Sequence, residues 1–254
     1  MVRGLVGYTG FVGGTLLRAA PFHSLYNSSN AREMRGRQFD VFVVAGAPAE
    51  KWKANQDPDR DRASIDGLIA NISEVDAGTA VLISTVDVYP TPVAVDEASA
   101  IATDRQQPYG HHRLLLEQAF RERFPEGLVV RLPALFGPGL KKNAIFDLIH
   151  QHETWKLHAQ GQFQFYPMTR LWADLQRFLA LGLTLINVAT EPVTLADVCR
   201  EAFGFEFGND PGTPAARYDV HTRHAAALGG CGGYLYPRAT VMTELAAYVS
   251  SFDG

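Results

Sequence analysis

The sequence has little cysteine, no long apolar run and no excess of basic charge, and each shortage removes a class of answer. Two cysteines, Cys199 and Cys231, are too few for a disulfide framework or a cysteine-built zinc site. They fit a reducing compartment, and the cytoplasm is the expected location. No stretch approaches the roughly 18 uninterrupted apolar residues of a membrane helix, so no membrane partner is expected. The apolar run from Val2 to Val6 is short and holds Arg3, which does not make a secretion signal. Lys and Arg number 23 against 27 Asp and Glu. The densest basic cluster, Arg32, Arg35 and Arg37, is too short to be a basic arm, and no nucleic-acid partner is expected. There is no internal repeat and no low-complexity tail.

What is present is an alternation of short apolar runs with helical patterns, the mark of βαβ units around a parallel sheet. Strands are expected at Gly4–Gly7, weakly at His23–Asn27, at Asp40–Ala45, at Ala80–Ser84 and at Leu128–Leu132. The Asp40–Ala45 run, DVFVVA, is apolar on both faces, as a central parallel strand should be. Helices are expected over Phe11–Ala20, Asp61–Val75 and Tyr109–Phe124. After Phe136-Gly137-Pro138-Gly139, a strong turn signal, the pattern changes. Helices are expected at Ala144–His150, Leu171–Leu183, Thr194–Phe203 with Thr194 as its cap, and Thr240–Phe252. An edge strand is expected at Gln162–Tyr166 and a last sheet strand at Leu185–Val188. The expected architecture is α/β, a Rossmann-type doubly wound parallel sheet with a small C-terminal substrate lobe. Residues 1–135 form the dinucleotide-binding domain, a strand near 185–188 completes its sheet, and residues 136–254 form the partly interleaved lobe.

The chemistry starts at Gly7-Tyr8-Thr9-Gly10-Phe11-Val12-Gly13, which follows a strand and opens a helix. Glycine at the first position allows the tight turn, at the second a close backbone approach to a pyrophosphate, and at the third close packing of helix on strand. Gly7, Thr9, Gly10, Phe11, Val12 and Gly13 are therefore expected to hold a dinucleotide phosphate. The end of the second strand, where an acid would meet the adenosine ribose, offers Asn27-Ser28-Ser29-Asn30 and then Arg32. Asn27, Ser28 and Arg32 suit a plain ribose or a 2′-phosphate, so NAD and NADP both stay open.

With those motifs, and with Val43-Val44-Ala45-Gly46-Ala47-Pro48, Ser84-Thr85-Val86-Asp87-Val88-Tyr89, Tyr109-Gly110-His111-His112-Arg113 and Arg131-Leu132-Pro133-Ala134-Leu135-Phe136-Gly137-Pro138-Gly139 in order, the chain resembles the extended short-chain dehydrogenase/reductase superfamily, in its sugar-nucleotide epimerase/dehydratase branch. Trp172-Ala173-Asp174-Leu175 and Asn187-Val188-Ala189 are weaker signposts of the same kind.

The resemblance implies that Thr85 orients the substrate oxygen and that Tyr109 moves its proton. It implies a lysine four residues after the tyrosine, there to favour the phenolate and bond the nicotinamide ribose. This chain has Arg113 at that position. Arginine keeps the charge but not the geometry. The resemblance also places Asp87 where related dehydratases carry an acid, and Ala45, Gly46, Ala47, Leu132 and Pro133 along the dinucleotide, together with Tyr109 and Arg113. Substrate contacts are expected from Asp87, Phe136, Lys142, Asn143, Tyr166 and Arg170, with no metal. The expected function is an NAD(P)-dependent epimerase/dehydratase-like oxidoreductase on a nucleotide sugar or related carbonyl or alcohol compound. The competing expectation, carried by Arg113, is a catalytically weak or inactive dinucleotide-binding protein with a regulatory or sensor role. The helix Tyr109–Phe124 permits a homodimer.

Overall fold

The computed structural model describes residues 1–252. In chain order the elements are β1 (Arg3–Val6), α1 (Phe11–Ala19), β2 (Ser24–Tyr26), β3 (Gln38–Val44), α2 (Lys51–Gln56), α3 (Pro58–Ile72), β4 (Asp76–Thr85), β5 (Val93–Val95), α4 (Pro108–Arg123) and β6 (Leu128–Leu132). They continue with β7 (Ala134–Phe136), α5 (Ala144–His150), β8 (Gln162–Phe163), β9 (Phe165–Pro167), α6 (Leu171–Ala180), β10 (Leu185–Asn187), β11 (Val193–Thr194), α7 (Leu195–Val198), β12 (Asp219–Val220) and α8 (Arg238–Ser250). α7 runs on into a π-helical turn over Cys199–Phe203. The chain forms two compact units. The first is Met1–Thr91, Ala100–Arg131 and Leu171–Ile186; the second is Pro92–Ser99, Leu132–Arg170 and Asn187–Gly254.

The first unit is built on a six-stranded sheet in the order β10-β6-β4-β3-β1-β2. β1 pairs in parallel with both β2 and β3, and β3 pairs in parallel with β4. The strand order reverses beside β1, so a crevice opens at the carboxyl ends of β1 and β3, where open α/β sheets take their ligands. Phe42, Val44, Ala80 and Leu82 pack with Ile65, Leu68 and Ile72 of α3 and Leu116 and Phe120 of α4. Phe39 and Phe42 stack at 5.2 Å between ring centroids. α6 returns from late in the chain to pack on α1, and its Trp172 meets Phe22 edge-on at 6.0 Å.

Two differences from the sequence expectation matter. α3 starts earlier, at Pro58 after the cap Asp57, whose carboxylate accepts the Arg60 N–H at 3.2 Å. Proline at the first helical position costs nothing, because its missing N–H would be unpaired there anyway. And α2, absent from the expected elements, precedes it. Its sequence KWKANQ has no apolar period to betray a helix, and Trp52 stays exposed.

The second unit pairs β7 with β9 and β5 with β12 in parallel, and β8 with β11 antiparallel. Its core joins Phe136, Ile145, Leu148, Phe165, Val193, Leu195 and Val198 to Val241, Met242 and Leu245 of α8. Glu97 ties three separated segments, accepting from the Asn187 N–H at 2.8 Å, Thr222 Oγ1 at 2.6 Å and the Arg223 N–H at 2.9 Å.

Candidate functional site

Three loops leave the carboxyl ends of the adjacent strands β1, β3 and β4. Gly7 after β1 has φ +84°, and a side chain there would place Cβ 2.3 Å from the Ala45 carbonyl oxygen. A Cβ at Gly13 would lie 2.1 Å from the Gly7 oxygen. Both glycines are required by the backbone's own packing. Gly10 is different. It is exposed, its φ of −80° suits any residue, and a Cβ there would meet only the Gly7 oxygen, at 3.3 Å. The protein itself does not demand glycine at this position, so the open space above it is a cradle that a side chain would fill.

α1 begins at that cradle with no side-chain cap and no acidic residue in its first turn. The N–H groups of Phe11, Val12 and Gly13 have no acceptor within the helix, as in any first turn. Together with the helix dipole they suit an anion. Thr9 is exposed at the lip. Asn27, at the end of β2, is held by its neighbours: its Oδ1 accepts from the Ser29 N–H at 2.9 Å, and its Nδ2 donates to Tyr8 Oη at 3.3 Å. Ser28 and Arg32 are exposed beyond it. Ala45, Gly46 and Ala47 follow β3 directly, and a Cβ on Gly46 would lie 2.9 Å from a Val6 methyl.

β4 delivers Thr85 at its last position. Thr85 Oγ1 accepts the Asp87 N–H at 3.1 Å, which leaves its hydroxyl hydrogen able to donate. The turn that follows is packed on the first turn of α4 so closely that a Cβ on Gly110 would come within 2.2 Å of the Asp87 carbonyl oxygen. Thr85, Asp87 and Tyr109 are thereby brought to one place. A buried network backs them. Arg131 of β6 makes a two-pronged pair with Glu117 of α4 (3.0 and 2.6 Å) and donates to Tyr89 Oη at 2.7 Å, while Ser84 Oγ donates to Glu117 at 2.5 Å.

Arg113 lies one helical turn after Tyr109, as the spacing requires, but its guanidinium sits over the tyrosine ring, with Cζ 4.1 Å from the centroid. Its side chain is 2% exposed. One N–H donates to Asp61 of α3 and another to the Pro48 carbonyl, while Nε has no acceptor among the described residues. His112 Nδ1 shares Asp61 at 2.8 Å. Burial pushes the Tyr109 phenol above its usual value. Arg113 and Lys51 oppose that rise, and Asp87 and Asp61 add to it.

Lys51, Asn55 and Asp61 are site neighbours that the sequence reading did not name. Lys51 Nζ is 2.7 Å from Asp87 Oδ1. Asn55, four residues on and so on the same face of α2, accepts the Tyr109 N–H at 3.0 Å and donates to Gln107 at 2.8 Å. The one usable signal was Asp57-Pro58, a helix start that leaves Lys51–Gln56 as a separate element.

The remaining expected residues belong to β6 and the second unit. Leu132 closes β6 and is buried, and Pro133 follows it half-buried. Phe136 and Tyr166 are buried on the paired strands β7 and β9, with Phe136 against Tyr248. Asn143 caps α5: its Oδ1 accepts from Ile145 (3.0 Å) and Phe146 (3.2 Å), and its Nδ2 donates to the Leu135 carbonyl. Lys142 is exposed. Arg170 pairs with Glu244 at 2.6 Å and lies over Tyr236. Within this unit Asn143 and Arg170 therefore already have structural partners. Among the described residues no cluster of His, Cys, Asp and Glu is placed to hold a metal, and no helix is long and apolar enough to cross a membrane.

No family model and no curated protein sequence matches the chain. Solved structures do. A dTDP-4-dehydrorhamnose reductase from Clostridium acetobutylicum matches with a TM-score of 0.74 at 15% identity, covering 100% of both chains. UDP-glucose 4-epimerase from Thermotoga maritima matches at 0.71 and 13% identity over 100% of this chain and 99% of that one. A dTDP-glucose 4,6-dehydratase from Streptomyces venezuelae, with NAD bound, matches at 0.72 and 15% identity over 100% of this chain and 97% of that one. At these identities the likeness is one of fold, and the fold is the Rossmann-type α/β architecture that the βαβ alternation implied.

Proposed function

We propose that this chain is an NAD- or NADP-dependent oxidoreductase. Its substrate is a carbonyl or alcohol carbon of a nucleotide sugar or related small molecule, and Tyr109 moves the proton. The observation that carries the reading is the presence of two features at carboxyl strand ends on either side of β3: the open, uncapped Gly10 cradle after β1, and the Thr85–Asp87 turn packed against the first turn of α4 after β4. The fold likeness to a reductase, an epimerase and a dehydratase supports the same class.

The residues present fit a dinucleotide. The Phe11, Val12 and Gly13 N–H groups would hold its pyrophosphate. Asn27 and Ser28 would meet the adenosine side. The buried Nε–H of Arg113 lacks an acceptor, which a ligand oxygen would supply. A nicotinamide dinucleotide, when bound, supplies or accepts the hydride. The chain does the rest. The Thr85 hydroxyl orients the substrate oxygen. Tyr109, held protonated by its burial, donates its phenolic proton to that oxygen as negative charge builds there. A resting acid suits the reductive direction.

The experiment is to release and identify any co-purifying dinucleotide, then titrate the emptied protein with the oxidised and reduced forms of NAD and NADP. Retained or micromolar binding of one pair is expected, and it separates NAD from NADP. Absence of binding to all four would sink the reading. With a nucleotide-sugar substrate, Tyr109→Phe is expected to lower turnover by about 10²–10⁴-fold and to weaken dinucleotide binding far less than that. The capture of Arg113 by Asp61 favours a second reading, a dinucleotide-binding sensor. That reading expects the same binding, no turnover across a panel of nucleotide sugars, and a Tyr109→Phe protein equal to the parent.

A further inference from the structure

α4 begins without a cap of its own. Gln107 stands at the cap position, and its side chain makes no capping bond to the helix. Pro108 has no N–H to satisfy, and the first bond within the helix runs from the His111 N–H to the Gln107 carbonyl at 3.0 Å. The N–H groups of Tyr109 and Gly110 are therefore left without an acceptor inside the helix. That of Tyr109 is taken by another helix: Asn55 Oδ1 of α2, 54 residues away along the chain, accepts it at 3.0 Å. An N–H can only donate, so the Asn55 atom that faces it is the oxygen. The amide nitrogen then turns to Gln107 Oε1, at 2.8 Å, which holds the amide in the orientation that serves Tyr109. Gln106 adds a second strap: its Nε2 donates to the Val88 carbonyl at 2.6 Å, and its Oε1 faces His111 Nδ1 at 3.2 Å. The first turn of α4 is thus tied to α2 by Asn55 and to the turn after β4 by Gln106.

We propose that Asn55 is the cap of α4, supplied from α2, and that through this bond it is a positioning residue for Tyr109. In most helices a Ser, Thr, Asp or Asn at the cap position accepts the N–H of the second or third helical residue. Here the acceptor comes from a separate helix, and the second helical residue is the one that carries the phenol. The Cα–Cβ direction of a helical residue follows the backbone, so a first turn that frays takes the Tyr109 side chain with it. Arg113 restrains the ring from the following turn, with Cζ 4.1 Å from its centroid, while Asn55 holds the backbone from which the ring projects. A reacting group displaced by about 1 Å can lose about 10²-fold in rate. The bond from Asn55 goes to the tyrosine backbone, so its effect falls on turnover and not on the affinity for ligands. The catalytic half of the proposal rests on the oxidoreductase reading above; the cap itself can be measured with no ligand present.

The test follows the Tyr109 amide by NMR in the full chain labelled with ¹⁵N-tyrosine, its signal identified by its loss in Tyr109→Phe. Asn55→Ala is expected to speed hydrogen exchange of that amide by about tenfold. Asn55→Asp keeps an acceptor in the same place and should exchange like the parent. Asn55→Ser, too short to reach the N–H, repeats the loss in a polar variant should the alanine protein not fold. Lys53→Met, on the same helix and paired with Glu50, is the control and should exchange like the parent. Turnover is then measured per folded protein, with a nucleotide-sugar substrate. Asn55→Ala should lose about tenfold in kcat while KM and dinucleotide affinity stay within about twofold, and Asn55→Asp should recover most of the loss. Unchanged exchange of the Tyr109 amide in Asn55→Ala or Asn55→Ser overturns the proposal. So does a kcat equal to the parent's, which would make Asn55 a stabilising contact only, and so does an equal loss in Lys53→Met. No turnover in any of the proteins, the parent included, would remove the oxidoreductase reading and leave the exchange rates to decide on the cap.

Discussion

The guanidinium of Arg113 covers the ring of Tyr109, with Cζ 4.1 Å from the centroid, while Asp61 and the Pro48 carbonyl take two of its donors. An arginine in this setting is a structural clamp on three elements: α4, α3 and the segment before α2. Its planar fork holds Asp61 and the Pro48 carbonyl from two separate nitrogens, where a lysine would have to reach both from one. Arg113→Met is expected to cost about 3–5 kcal/mol, because it leaves the Asp61 charge buried with only His112 beside it. Arg113→Lys should cost less but still lower stability, with no gain in turnover. Urea unfolding of the two variants, with turnover measured alongside, checks both statements.

The same clamp makes stability depend on pH. Burial would raise the Asp61 carboxyl, but the hydrogen bonds and charges of Arg113 and His112 hold it below the usual carboxylate range. The folded state therefore gains from an ionised Asp61 above the unfolded value of about 3.9, and loses that gain as pH falls through the lower folded value. The stability gap between the parent and Asp61→Asn should be widest near neutral pH and should narrow below about pH 4. Denaturant titrations at a series of pH values measure the gap. A gap that stays constant through acid would show that Asp61 contributes only by shape.

The glycines of the first loop should separate fold from binding. Gly13→Ala forces a Cβ to within 2.1 Å of the Gly7 oxygen, so loss of folded protein is expected. Gly10→Ala meets nothing closer than 3.3 Å and suits its φ, so the variant should fold with a melting temperature within a few degrees of the parent. Its dinucleotide affinity should fall by about tenfold or more, since the added methyl occupies the space where a pyrophosphate would approach the backbone. Thermal melts and dinucleotide titration of the two proteins read the difference. Equal dinucleotide affinity in Gly10→Ala and the parent would count against a phosphate at this cradle.

Glu117→Gln should be among the more damaging single changes in the first unit. Glu117 is buried, holds both prongs of Arg131 and accepts from Ser84, which stands beside Thr85. The substitution leaves Arg131 buried without its countercharge, and about 3 kcal/mol of stability should go with it. Arg131→Met paired with Glu117→Leu should recover part of the loss, because it removes both charges together. The parent, Glu117→Leu, Arg131→Met and the double variant form a double-mutant cycle whose coupling energy is the measurement.

Much of this molecule could be read along the chain. The run DVFVVA became β3, flanked on both sides in the sheet, because a strand apolar on both faces has to be interior. The segment Ala144–His150 formed the expected helix, and Thr194 capped α7 by accepting the Asp197 N–H at 3.1 Å. Local rules reached these elements because the partners lie within one turn or one strand. β5 and β12 were out of reach: Val93 pairs with Asp219 across about half of the chain, and neither strand is long enough to carry an alternation. α2 was missed for a similar reason. Its helix is stabilised by what it docks on, through Asn55 and Lys51, and not by its own pattern.

The sequence by itself determined the βαβ order, the glycine loop that only a close backbone approach explains, and the presence of Thr85, Asp87, Tyr109 and Arg113 at their spacings. Each of those follows from local sterics and from the helical and strand periods. Only the tertiary structure decided what Arg113 faces and that Lys51 stands by Asp87. Those outcomes depend on Asp61, Pro48 and Asp87, contributed from 52, 65 and 36 residues away along the chain. A long cationic side chain turns toward whichever buried acceptor the packed fold leaves within reach, and no spacing within a single helix encodes that choice.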